Sequence, residues 1–129
     1  PDLAKRRARH VVGENERVFR AIEALNTGDG ALLGTLMTAS HRSSMDTFQH
    51  STTELDLLVD LAINQKGCLG ARLSGGGFGG AIVALVEMQD ADRVLFEVKK
   101  SYEAQTHHEA TGYLCRAGDG ALPPDGSGA

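Results

Sequence analysis

The sequence predicts an α+β domain in which helices pack on one face of a small antiparallel sheet. Three observations predict it. Helical periodicity fills the first half of the chain, the period turns extended after Gly67, and strand, loop, strand, helix and strand patterns then follow in that order. At 129 residues the chain supports one modest core, since a domain of this size buries roughly two-thirds of its unfolded surface.

From Leu3 to Leu25 the apolar residues Val11, Val12, Val18, Phe19, Ile22 and Leu25 recur at helical spacing among polar ones, which predicts one amphipathic helix. Gly28 closes it and Asp29 is placed to cap a second helix, with Leu32, Leu33, Leu36 and Met37 as its apolar stripe. Between Ser40 and Thr53 the pattern is polar and broken. Thr53 then caps a third helix carrying Leu55, Leu58, Val59, Leu61, Ala62 and Ile63, and Gly67 ends it. Leu69 to Leu73 and Ala81 to Val86 read as strands, the second a continuous apolar run suited to a buried position. Asp90 caps a fourth helix with Ala91, Val94, Leu95, Val98 and Tyr102 on one side, and Thr111 to Cys115 reads as a last strand. Such a three-stranded sheet is narrow, and the uncapped basic opening Lys5, Arg6, Arg7 and Arg9 suggests a further strand upstream of Pro1.

Composition excludes several classes of function. An apolar fraction of 41% and a charged fraction of 23% are globular values. A net charge of −4 provides no basic field for a phosphate backbone, so nucleic acid is not expected as a partner. No apolar run approaches the roughly 18 residues of a spanning helix and no leader pattern opens the chain, so a cytoplasmic protein without a membrane partner is expected. Cys68 and Cys115, without C-x-x-C spacing, read as reduced core thiols. His41 and His50 have no third ligand at metal spacing and read as hydrogen-bonded structural histidines; no metal site is assigned. His107 and His108 fall at an exposed helix end.

The segment Ser74-Gly75-Gly76-Gly77-Phe78-Gly79-Gly80 is the most informative. Five of the six residues from Gly75 to Gly80 are glycine, each costing roughly 0.5–1 kcal/mol of chain entropy relative to alanine within a regular element. A tight hairpin needs one or two. The excess suggests backbone that must approach something closely, and consecutive bare amides can form a concave nest for an anion such as phosphate. A ligand-free flexible hairpin is the competing reading. A dinucleotide fingerprint fails because a strand follows the loop, and a Walker-type loop fails because no Gly-Lys-Ser/Thr is present.

The stretch GARLSGGGFGGAIVAL, residues 70–85, resembles the third glycine-rich motif of the GHMP kinases, in particular their galactokinase branch. RRARHVVGENERV (6–18), LMTASHRSSMDTFQHSTTELDLLV (36–59) and GYLCRAGDGA (112–121) resemble the same branch in order and spacing. The resemblance implies a ferredoxin-like C-terminal domain over residues 1–117, with 118–129 as a disordered tail. It implies an activity in which ATP, with Mg, phosphorylates galactose at the 1-hydroxyl to give galactose 1-phosphate, in a cleft shared with an upstream domain. In such transfers positioning and charge stabilisation dominate.

On the same resemblance the family's catalytic residues lie upstream of Pro1, so none is assigned here and the isolated chain is expected to be inactive. Ser74, Gly75, Gly76, Gly77, Phe78, Gly79 and Gly80 are implied to face the ATP phosphates, with Gly75 to Gly77 in closest approach. Phe78 has a second role open to it, as a hydrophobic anchor. Asp46 and Arg72 are candidates for the cleft side, although an arginine inside a strand is more often a solvated or ion-paired side chain. The middle run departs from the branch: Met45 stands where an Arg is usual and Thr47 where a second acid is usual, while Asp46 and the aromatic Phe48 are kept. Two other functions remain open, a GHMP kinase for another small molecule and a non-catalytic, galactokinase-like sugar sensor.

Overall fold

The computed structural model describes residues 2–118. Its elements are α1 (Asp2–Thr27), α2 (Gly30–Ser43), a π-helical turn (Ser44–Phe48), α3 (Thr53–Ile63), β1 (Cys68–Ser74), β2 (Ala81–Val86), a short 3₁₀ turn (Met88–Asp90) and α4 (Ala91–Thr106).

The α1–α2 corner follows from two residues. Gly28, at φ +69°, donates to the Leu25 carbonyl and Asp29 N–H to that of Ala24, which consumes two orphan carbonyls of α1. Asp29 then accepts from Leu32 N–H at 2.9 Å and starts α2. The polar stretch after Ser40 does not break α2, which runs to Ser43 and passes directly into the π turn. Thr52, one residue before the expected cap, accepts from Leu55 N–H and starts α3.

β1 and β2 pair antiparallel from Ser74↔Ala81 to Gly70↔Leu85, with a bulge between Cys68 and Gly70. One face of this ribbon meets α3 and α4, where Val59, Ala62 and Ala71 form the core with Ile82, Ala84 and Val98 around them. The helices-on-one-face architecture is thus present. The outer edge of β1 is closed by α2, not by another strand. Ala71 N–H donates to Thr38 Oγ1 and Leu73 N–H to His41 Nδ1, at 3.4 and 3.1 Å. Such capping of a free edge removes an unsatisfied row of backbone groups. Close approach requires glycine on both sides: a Cβ at Gly70 would lie 1.9 Å from the Gly34 carbonyl oxygen.

Three expectations need correction. Thr111 to Cys115 is not a strand; the segment is exposed and without regular structure. His107, at φ +59°, ends α4 and turns the chain back along that helix. There Ala110 N–H meets Glu103, Gly112 rests on Leu95 and Arg116 reaches Met88, so the segment follows α4 and joins neither strand. Cys115 is correspondingly exposed, not a core thiol; Cys68 is partly buried and burial raises its thiol pKa. The apolar row of α1 faces outward, with Val11, Val18, Ile22 and Leu25 exposed, while His10 and Ala24 are buried. The expected tail, apart from Gly118, lies outside the described residues.

Candidate functional site

The glycine loop joins β1 to β2 at one end of the ribbon. Left-handed backbone occurs at Gly75, Gly77, Phe78, Gly79 and Gly80 but not at Gly76. Alternating hand of this kind from Gly75 to Gly77 can turn consecutive N–H groups toward a common point, as in anion nests. At Gly77 glycine is required by space as well, because a Cβ there would stand 2.1 Å from the His50 carbonyl oxygen. Gly76 differs from all of these. Its φ is not positive and a Cβ would meet no atom within 4 Å.

The loop's underside rests on the segment after the π turn. Phe78 N–H donates to the His50 carbonyl at 2.7 Å, so that amide is already engaged. The Phe78 ring is 76% exposed, with the His50 ring 6.3 Å away, edge-on; it is not buried as an anchor within the described residues. His50 in turn lies 4.8 Å from Phe48 and 5.6 Å from His10 by ring centroids. Arg7 stands over the outer face of Phe48.

Below this cluster is a polar network that binds four elements together. Glu14 accepts from the Ser40 hydroxyl at 2.7 Å and from Arg17 Nε at 2.6 Å, and faces Arg72 at 3.8 Å. Burial disfavours the Glu14 charge, but the Ser40 bond, the Arg17 bond and the two guanidinium charges outweigh it, and its pKa falls below the ordinary value. His41 is satisfied at both nitrogens. Nδ1 accepts from Leu73 N–H, so Nε2 carries the proton and donates to Asp56 at 3.0 Å, an oxygen that Ser51 also contacts. Ser51 bonds Asp56 and not His41, so these three residues make no nucleophile–base pair.

The sequence-derived candidates are therefore only partly brought together. Ser74 to Gly80 form one turn, and Arg72 precedes it by two residues on β1, half-exposed and paired with Glu14. Asp46 lies on the exposed side of the π turn; its carbonyl accepts from Arg6 at 2.5 Å and its carboxylate makes no ion pair among the described residues. His50 corrects the sequence reading. Unlike His41, it has a buried Nε2 without a hydrogen-bond partner among the described residues. Neither its spacing nor its neighbours in sequence marks it; Gln49, left-handed at φ +65°, is what turns its carbonyl toward the loop. Among the described residues no group of three or more His, Cys, Asp or Glu is arranged to hold a metal ion.

The chain is similar to known proteins of one family. A galactokinase of Roseiflexus sp. is 43% identical over 120 residues, 93% of this chain and 31% of the relative. The Bos taurus galactokinase is 47% identical over 118 residues, 92% of this chain and 29% of the relative. The chain thus spans about a third or less of the curated relatives it matches. Among solved structures, Lactococcus lactis galactokinase complexed with galactose superposes with a TM-score of 0.82 at 37% identity, covering 86% of this chain and 29% of that one. Mevalonate kinase of L. major in complex with R-mevalonate superposes at 0.66 with 31% identity, covering 77% of this chain and 32% of that one. The family model described as GHMP kinases C terminal matches residues 21–104. The family model and the superposition together show that the chain belongs to the GHMP kinases as their C-terminal domain.

Proposed function

We propose that this chain is the C-terminal part of an ATP-dependent galactokinase, in which the Ser74–Gly80 turn faces the nucleotide phosphates and galactose receives the phosphoryl group at its 1-hydroxyl. Gly76 carries the reading. The neighbouring glycines are explained by left-handed backbone or by the His50 contact, whereas nothing in the described residues requires Gly76 to lack a side chain. A surface that must stay bare without an internal reason is one that another molecule approaches. The similarity to galactokinases, one of them solved with galactose, supports that sugar as the substrate.

In this reading ATP supplies the phosphoryl group and the chain supplies the cradle. Gly75, Gly76 and Gly77 offer unencumbered N–H groups to phosphate oxygens, and Arg72, held beside Glu14, adds positive charge at the loop's base. Among the described residues no three or more His, Cys, Asp or Glu converge on a point that could hold magnesium, and no step is assigned to that ion here. Asp46 remains a candidate for the cleft side through its exposed position beside Arg6. The outward apolar row of α1 supports packing against further polypeptide, as an exposed patch of this kind does. The domain is taken as residues 1–117, and a cytoplasmic location goes with the activity. No described helix is long and apolar enough to cross a membrane.

The test is a coupled assay of galactose-dependent ATP turnover. The 129-residue chain alone is expected to give none, and the same chain continuous with an upstream kinase domain is expected to turn over. Activity of the isolated chain, or galactose-independent turnover of the longer one, refutes the assignment.

A further inference from the structure

The loop's position is set from beneath by one residue. The Phe78–His50 bond is the single backbone hydrogen bond that joins the turn to an element outside its own hairpin among the described residues. Gly77 is seated on the same carbonyl, and its missing Cβ would also come within 3.1 Å of the His50 ring. Phe78 itself is left-handed at φ +59°, a conformation unfavourable for a residue with a Cβ that persists where surrounding structure enforces it.

The enforcing structure is built stepwise. Ser44, fully buried at 1% exposure, accepts at its carbonyl from both Gln49 and His50 N–H, at 2.8 and 3.2 Å, which closes the end of the π turn on its own buried first residue. The His50 ring then packs edgewise on His10, whose Nδ1 is 2.8 Å from Ser43 Oγ, and on Phe48. α1, α2 and the π turn thus converge on one imidazole.

We infer that His50 is a positioning residue: its ring, wedged between His10, Phe48 and Phe78, fixes the carbonyl on which the Gly75–Gly80 turn hangs. The consequence for nucleotide binding rests on the proposed function; the positioning itself does not. The groups facing His50 are His10 and Glu14 from α1, His41 from α2 and Arg72 from β1. Burial first, and then the charges of His10, Arg72 and His41, lower its pKa against the opposing pull of Glu14, which favours the neutral ring here. Protonation would place a cation on a buried nitrogen without an acceptor.

Amide exchange on the full 129-residue chain tests this, with Leu73 N–H, held by His41, as the internal measure of the fold. His50→Ala is expected to lower Phe78 protection about tenfold while Leu73 stays within about threefold, and His50→Phe, which restores a ring, is expected to hold both. In the wild type, after correction for intrinsic rates, lowering the pH below the ordinary histidine value of 6.5 is expected to release Phe78 more than Ala71, whose acceptor, the Thr38 hydroxyl, does not titrate there, an effect absent in His50→Phe. This arm needs no Ala variant that folds. In the complete kinase His50→Ala is expected to raise KM for ATP about fivefold or more with kcat within about twofold. Unchanged Phe78 protection in His50→Ala, or equal loss at Leu73, overturns the inference. Selective loss at Phe78 with an unchanged KM for ATP upholds the positioning role and refutes the nucleotide-facing function of the loop.

Discussion

Paired alanine substitutions at Gly76 and Gly77 separate a ligand-facing turn from a simple hairpin. At Gly76 a Cβ meets nothing within 4 Å and φ is not positive, so alanine costs the folded state little. It restricts the unfolded chain and is expected to stabilise by about 0.4–1 kcal/mol where the backbone is compatible. At Gly77 the Cβ would fall 2.1 Å from the His50 oxygen, at φ +81°. The left-handed cost of roughly 1–2 kcal/mol adds to loss of the Phe78–His50 bond, about 0.5–1.5 kcal/mol, for a destabilisation of ~2–3 kcal/mol. Urea denaturation of the chain measures both. If phosphates approach the turn, the Gly76→Ala methyl group overpacks that contact by ~1–3 kcal/mol, equivalent to a rise in KM for ATP of roughly 5- to 150-fold. A Gly76→Ala kinase that is no less stable yet impaired in ATP use supports the reasoning. Normal KM for ATP, or a loss of stability that matches the loss of activity, refutes it.

The network beneath the turn makes two further predictions. His41→Ala leaves Leu73 N–H and Asp56 without their partner and a cavity at a site only 3% exposed, and is expected to destabilise by ~2–4 kcal/mol; a change below about 0.5 kcal/mol would show that the β1 edge is not held there. Glu14→Gln is expected to destabilise by about 1 kcal/mol at neutral pH, a modest figure because the pair is partly solvated. Glu14's folded pKa lies below its ordinary 4.5, so its contribution is present above that value and is lost as pH falls through the lower folded one. The stability gap between wild type and Glu14→Gln should therefore close in acid, and a gap that widens there contradicts the ion-pair assignment.

The helices, the two strands, the Gly28–Asp29 corner and the glycine turn are legible along the chain, because each is written in contiguous residues whose periodicity or backbone preference acts locally. The same local signals misplace Thr111 to Cys115, whose β-prone residues join neither strand because the turn at His107 lays the segment along α4. They also leave open which side of α1 is buried. Periodicity tells which residues share a face; Glu14 bonding Ser40 and His10 contacting Ser43 turn the polar side inward and leave Val18 and Ile22 outside. Arg72 meeting Glu14 and the His50 carbonyl meeting Phe78 likewise join residues far apart in the chain. Only tertiary packing decided these, since the energy of a buried polar contact depends on a partner that no local pattern names.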